Sequence, residues 1–213
     1  MSQGKVYKFS GTQLQVVGSF GTAVAVTAIT NASPAVVTQT GHGHSAATVV
    51  KFAAVGGMTE VNGMLCVIKP LTADTYQLVG VDSTNWGVYT TGGTAAPAVW
   101  VGSCESTQYS NSSGSTAVDE SETNCGTVLA FGSPKKGTVS LGLNMADTAY
   151  QQALETSRLA VAETALRLAV PNYPAVLFDI GIVTSNDTTG SSGGKYTGTA
   201  ALQRTQHQAV VRS

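Results

Sequence analysis

GTVSLGLNMADTAYQQAL, running from Gly137 to Leu154, is the stretch that decides the fold. Its first part, Gly137–Asn144, sets Val139, Leu141 and Leu143 among small and polar residues, the period-2 pattern of a strand with one buried face. At Asp147 the period changes. Asp147 is placed as the N-cap of a helix, where a side-chain oxygen accepts from open backbone N–H groups of the first turn. Beyond it Tyr150, Ala153, Leu154 and Ser157 fall at i, i+3, i+4 and i+7. That narrow apolar stripe suits a helix covering one face of a sheet. The pattern leaves the end of the helix open: Ala160–Ala165 stays helix-compatible, while Leu166, Leu168 and Val170 alternate with Arg167 and Ala169 as a strand would.

Outward from this segment the chain reads as β. Val176–Ser185 is a strand, 185–194 a Gly/Ser/Thr hairpin loop, and Tyr196–Val211 one or two closing strands. Upstream lie strands near 126–132 and 97–105, the latter holding Trp100. Between them 106–126 is polar and almost free of large apolar residues, the reading of a long functional or unordered loop. Val6, Tyr7, Phe9, Leu14, Val16, Val17, Val24 and Val26 sit in short alternations broken at Gly11, Gly18 and Gly21, an opening hairpin. From 28 to 95 the texture has its own turn–strand rhythm. Met64–Ile68 and Thr75–Val79 are strands joined across 70–74, and Pro70 ends the first because it has no N–H to donate. The expected organisation is one discontinuous domain, 1–27 with 96–213, carrying a small β module at 28–95. The fold class is mainly β with one helix.

Composition narrows the function. Of 213 residues 11% are charged, with a net charge of -1, and Thr, Ala, Gly and Ser fill 98 positions. A soluble domain is typically about a quarter charged. A near-neutral chain has no field to gather nucleic acid or an anionic bilayer, and no run approaches the ~20 apolar residues of a membrane span. Residues 1–14 lack the apolar run of a signal peptide. Cys66, Cys104 and Cys125 form neither a disulfide framework nor a zinc pattern, so the compartment reads as reducing. With so little charge, much of the surface is expected to lie against other subunits, or to be solvated by Ser and Thr.

Motifs for chemistry are sparse. His42-Gly43-His44 would place two imidazoles on one side of a strand, but no third ligand is nearby, and a polar turn is the simpler reading. Gly190–Thr197 imitates a phosphate-binding loop with one residue too few before Gly194-Lys195, a tyrosine after the lysine, and no helix to follow. Asp119, Glu120 and Glu122 are the densest acidic group, read as a solvated loop or as acids facing a channel or a neighbouring subunit. Lys135 and Lys136, in the turn Ser133–Lys136, join them as inter-subunit or lumen candidates. Cys66 reads as a core thiol, Trp86 and Trp100 as core anchors. No catalytic residue, metal or cofactor is expected.

Two stretches resemble known families. Gly56–Gly63 (GGMTEVNG), Ala73–Tyr76 (ADTY), Gly80–Thr84 (GVDST) and Tyr89–Gly93 (YTTGG) resemble a small β-barrel module of phage tail proteins, similar to the first catalytic-cysteine half-domain of ubiquitin-activating enzymes. No ubiquitin chemistry follows, because Cys66 matches no catalytic cysteine. The strand Gly137–Asn144, the helix from Asp147, the strand Phe178–Ser185 and the segment Tyr196–Thr205 resemble the tail tube proteins of long, non-contractile phage tails. That resemblance implies a β-sandwich or barrel with the helix packed outside through Tyr150, Ala153 and Leu154. It also implies hexameric rings stacked into a tube that conducts DNA without binding it, and partners among tail-tip, tape-measure and terminator proteins. The implied location is the virion, after assembly in the host cytoplasm. The module at 28–95 is then expected to decorate the outside, so that its removal leaves assembly intact. The competing expectation is a tail-associated module that binds host-surface glycan, which would display several exposed aromatics.

Overall fold

The alternations resolve into sixteen strands and one α-helix in a computed structural model that describes residues 6–113, 116–122, 128–134 and 136–212. For 116–122 and 128–134 only the backbone is described. The first half holds β1 (Gln13–Phe20), β2 (Val24–Ala25), β3 (Ala28–Ile29), β4 (Val36–Thr38), β5 (Thr48–Gly56), β6 (Leu65–Pro70), β7 (Thr75–Leu78) and β8 (Thr91–Ser103). After β9 (Ser106–Ser112), β10 (Thr116–Glu122), β11 (Val128–Pro134) and β12 (Thr138–Asn144) comes α1 (Ala149–Leu159). The chain ends with β13 (Glu163–Ala169), β14 (Ala175–Thr189), β15 (Thr197–Arg204) and β16 (Ala209–Arg212). The fold is mainly β with one helix.

A single antiparallel ladder orders the strands β3-β4-β7-β6-β5-β8-β1-β13-β14-β15-β12-β9, with β16 added to β14 and β2 to β8. At the β3 end the ladder closes on itself. β2 pairs with β8 (Val24↔Ala95), and after Val26 and Thr27 the same run of chain becomes β3 and pairs with β4. The result is a small barrel with its own core, in which Val26, Phe52, Met58, Cys66, Ile68, Tyr76 and Ala95 meet. Its last strand, β8, does not stop at the barrel; it runs on for thirteen residues and pairs with β1 in the main sheet.

The main sheet, β8-β1-β13-β14-β15-β12-β9, is covered on both faces. On one, Leu14, Val16, Leu141, Leu143, Leu166, Leu168 and Leu202 pack beneath Tyr150 and Leu154 of α1, with Ala153 half-buried at the margin. On the other, Val17, Ala165, Phe178, Ile180 and Val211 pack against Val49, Leu65 and Val67, which point outward from the barrel strands β5 and β6. Two polar ties cross this contact: the Leu65 N–H donates to Glu163 Oε2 at 3.5 Å, and Gln206 Nε2 donates to the Leu65 carbonyl at 2.8 Å. The barrel is thus packed on the sheet through a shared apolar layer. The barrel forms one wall of a core.

Several local readings shift. Thr148, not Asp147, is the N-cap: it has extended φ/ψ and its Oγ1 accepts from the Gln151 N–H, while Asp147 Oδ1 accepts from Gln152 Nε2 at 2.6 Å. The helix ends where Val161 turns left-handed (φ 49°), with Val161 N bonded to Arg158 O and Ala162 N to Ser157 O. That is a Schellman closure with valine in the place glycine normally takes. Leu166 and Leu168 then belong to a strand. Among the described residues there is no opening hairpin: Val6, Tyr7 and Phe9 lie outside the strands and are exposed, and β1 pairs instead with β8 and β13. The supposed loop at 106–126 is largely β9 and β10.

Candidate functional site

β9 (STQYSNS) is the far edge of the main sheet. Among the described residues it pairs with β12, from Thr138↔Ser112 to Leu143↔Ser106, and with no other strand. Edge strands that must stay unpaired usually carry Lys, Pro or an inward charge. β9 has none of these, and its Ser, Thr and Asn side chains place little bulk in the way of an incoming backbone.

A buried network fixes this edge. Asp179 on β14 is fully buried, and its carboxylate accepts from Arg204 Nε at 2.7 Å, Tyr109 Oη at 2.6 Å and Gln208 Nε2 at 3.1 Å. The Arg204 guanidinium also donates to Asn111 Oδ1 on β9 and, at 3.3 Å, to the Lys136 carbonyl. One carboxylate thus links β9, β14, β15 and the start of β16. Burial, and then the Asp179 charge, raises the Tyr109 phenol above its ordinary value, so it stays a donor. Gly181, two residues on, permits the approach of β15: a Cβ there would lie 2.1 Å from the Gln203 carbonyl oxygen. No local sequence pattern marks this network as a unit. The available signal was a single charge inside each of two apolar strands, Phe178-Asp179-Ile180 and Leu202-Gln203-Arg204, since a buried charge needs a partner.

The corner leading into β9 is anchored to the helix start. Glu105 accepts from Cys104 N–H at 2.9 Å, from Thr148 Oγ1, and from Gln151 Nε2 at 3.5 Å. Burial works against its charge, but these bonds hold the carboxyl below the usual range.

Beyond β9, β10 and β11 form a separate two-stranded sheet with Asp119 opposite Phe131, Glu120 opposite Ala130 and Glu122 opposite Val128. The side chains of Asp119, Glu120 and Glu122, all of Lys135, and Cys125 lie outside the described residues. Lys136 is exposed, and its ammonium donates to the Thr205 carbonyl.

The remaining motifs fall where their chemistry is already spent. The His42 and His44 rings stack with centroids 5.2 Å apart at the barrel end, both against Tyr76. His42 Nε2 lies 3.0 Å from the Thr72 carbonyl, and its Nδ1 accepts from the His44 N–H. His44 Nε2 meets Gln39 Oε1 at 3.3 Å, and that oxygen also accepts from Tyr76 Oη. Among the described residues no group of three or more His, Cys, Asp or Glu is placed to hold a metal ion. Cys66 is fully buried, and burial, with the Glu163 charge adding, pushes its thiol up to about 12. Cys104 is free and exposed. Residues 190–196 join β14 to β15, strand to strand. Of the barrel's aromatics Phe52 and Tyr76 are fully buried, while Trp86 and Tyr89 pack against its core. No protein-family model matches the chain, and no curated protein sequence matches it.

Proposed function

We propose that this chain is a structural subunit of a phage tail tube. In this reading copies pair edge to edge into rings, most simply hexamers, and the rings stack into a hollow conduit for DNA. The observation that carries the proposal is β9, an uncharged edge strand with no second partner strand among the described residues, held in place by a buried ion pair. A monomer gains nothing from fixing such an edge, and a closed ring of sheets uses it.

Three further features support the reading. Among the described residues the β10–β11 ribbon has no third strand, and an isolated two-stranded hairpin is marginal in water, so a neighbouring copy would consolidate it. A content of 11% charged residues and a net charge of -1 suit buried subunit contacts. They also suit a lumen that does not grip phosphates, because each neutralised phosphate adds affinity through counterion release. Asp119, Glu120 and Glu122, set on that ribbon, would serve as lumen or stacking residues. The barrel's aromatics are committed to its own core, which favours this reading over glycan binding. Partners would be further copies of the chain and the tail-tip, tape-measure and terminator proteins, with DNA in transit and no cofactor.

Electron microscopy of the purified protein, concentrated or mixed with tail-tip complexes, tests the proposal. Hollow tubes with a regular axial repeat support it. A protein that stays monomeric under all these conditions while binding oligosaccharide overturns it.

A further inference from the structure

Two groups of exposed apolar side chains lie at opposite ends of the main sheet. At one end the arm before β1 leaves Val6 90% and Phe9 43% exposed, with Lys8 exposed between them. Tyr7 rests edge-on against Tyr173, just before the first residue of β14. At the other end a groove of about 800 Å³ opens beside α1, lined by Met145, Ala146, Asp147, Gln152, Asn186 and Tyr196 among others. Met145 and Tyr196 are 37% and 65% exposed. Asp147 and Glu155 line it with no Lys or Arg in the lining, but Glu155 is already paired with Arg158 at 2.6 Å, which leaves Asp147 as the lining carboxylate with no ion pair among the described residues.

β14 separates the two features. Tyr173 precedes its start and Asn186 lies near its end, so at ~3.3 Å per strand residue they are roughly 40 Å apart. The arm of one molecule cannot reach its own groove. The arm is apolar and carries Lys8; the groove is apolar and carries Asp147.

We infer that the groove beside α1 receives residues 6–9 of a second copy, with Val6 and Phe9 against Met145 and Tyr196, and Lys8 near Asp147. The contact joins two different patches, so every copy offers one arm and one groove. It is heterologous, so it can pass from copy to copy. The inference rests on the self-assembly reading, to which it adds a polarity: arm end to groove end along the strand direction.

Cysteine cross-linking tests it. In a background carrying Cys104→Ser and Cys125→Ser, a chain with both Val6→Cys and Gln152→Cys is oxidised at the concentration used for assembly. The expected product is a ladder of covalent dimers, trimers and longer oligomers. Chains with one cysteine each, mixed, should yield dimers containing one of each. Independently, Lys8→Glu or Asp147→Lys alone should raise the concentration needed for assembly at least tenfold, and the two together should restore it. Tubes that form without arm-to-groove cross-links overturn this inference and leave the tube reading standing. A ladder without tubes supports the arm contact and counts against the tube. Monomer with neither product overturns both.

Discussion

The two faces of the main sheet are closed by different means. One is covered by α1, an element only five residues beyond strand β12; the other is covered by a barrel whose contacting strands, β5 and β6, are distant in sequence, with Leu65 a hundred residues before Ala165. The helix announces itself through the stripe Tyr150, Ala153 and Leu154. The barrel's role is written only as an excess: Leu65-Cys66-Val67-Ile68 is apolar at every position, where a barrel strand facing solvent would alternate. Cys66 and Ile68 point into the barrel, Leu65 and Val67 into the sheet. A continuous apolar run means burial on both faces, and the second face belongs to another layer.

If the barrel is a wall, removing it is the harshest test. Replacing 29–94 by a short linker strips the cover from Phe178, Ile180, Ala165 and Val211, and the expected product is insoluble or aggregated. A soluble, folded deletion protein by circular dichroism and gel filtration would return the barrel to the status of ornament.

The next largest effect is expected at the buried ion pair on the helix-covered face. Asp179→Ala leaves Arg204 uncompensated in the interior, at a cost of about 3–5 kcal/mol in chemical denaturation. Hydrogen exchange should show β9 losing protection first, because Tyr109 and Asn111 both depend on this pair.

A matched pair of truncations compares the faces directly. Leu154 on the helix and Leu65 on the barrel are 1% and 0% exposed. Leu154→Ala and Leu65→Ala should each cost about 2–5 kcal/mol. A Leu65→Ala cost below about 1 kcal/mol would mean that the barrel contact is superficial.

Much of this architecture was legible in the sequence, and the failures have physical causes. The β6–β7 hairpin could be read because Pro70 and the alternation of Thr75–Leu78 leave one pairing. The helix could be read from its stripe, but not its end, because Val161 occupies the left-handed position that a glycine would have marked. β9 was hidden because its stability comes from pairing and from Tyr109 reaching Asp179, not from an apolar face of its own. The ion pair was hidden because Asp179 and Arg204 are 25 residues apart, and only the pairing of β14 with β15 brings them together.

Smaller effects sharpen the local account. Thr148→Ala should cost about 1 kcal/mol through loss of the cap, and Asp147→Ala clearly less; the reverse order would restore Asp147 as the cap. Burial, and then the His42 charge, lowers His44 from its ordinary 6.5. The unfolded chain therefore binds the proton more readily. The resulting stabilisation is complete above about pH 6.5 and is lost as pH falls through that value toward the lower folded one. Amide protection factors around 40–47, which correct for the intrinsic slowing of exchange in acid, should fall on acidification in the native chain and not in His44→Gln. Equal behaviour of the two proteins would remove His44 from the account.

The central claim is that β9 is an assembly edge, and hydrogen exchange read residue by residue on free and assembled protein tests it most directly. In the free subunit, the amides of Ser106–Ser112 that point away from β12 should exchange as fast as solvent-exposed backbone. In the assembled state those same amides should become as protected as the interior of β14. Tubes in which they continue to exchange freely would contradict the claim.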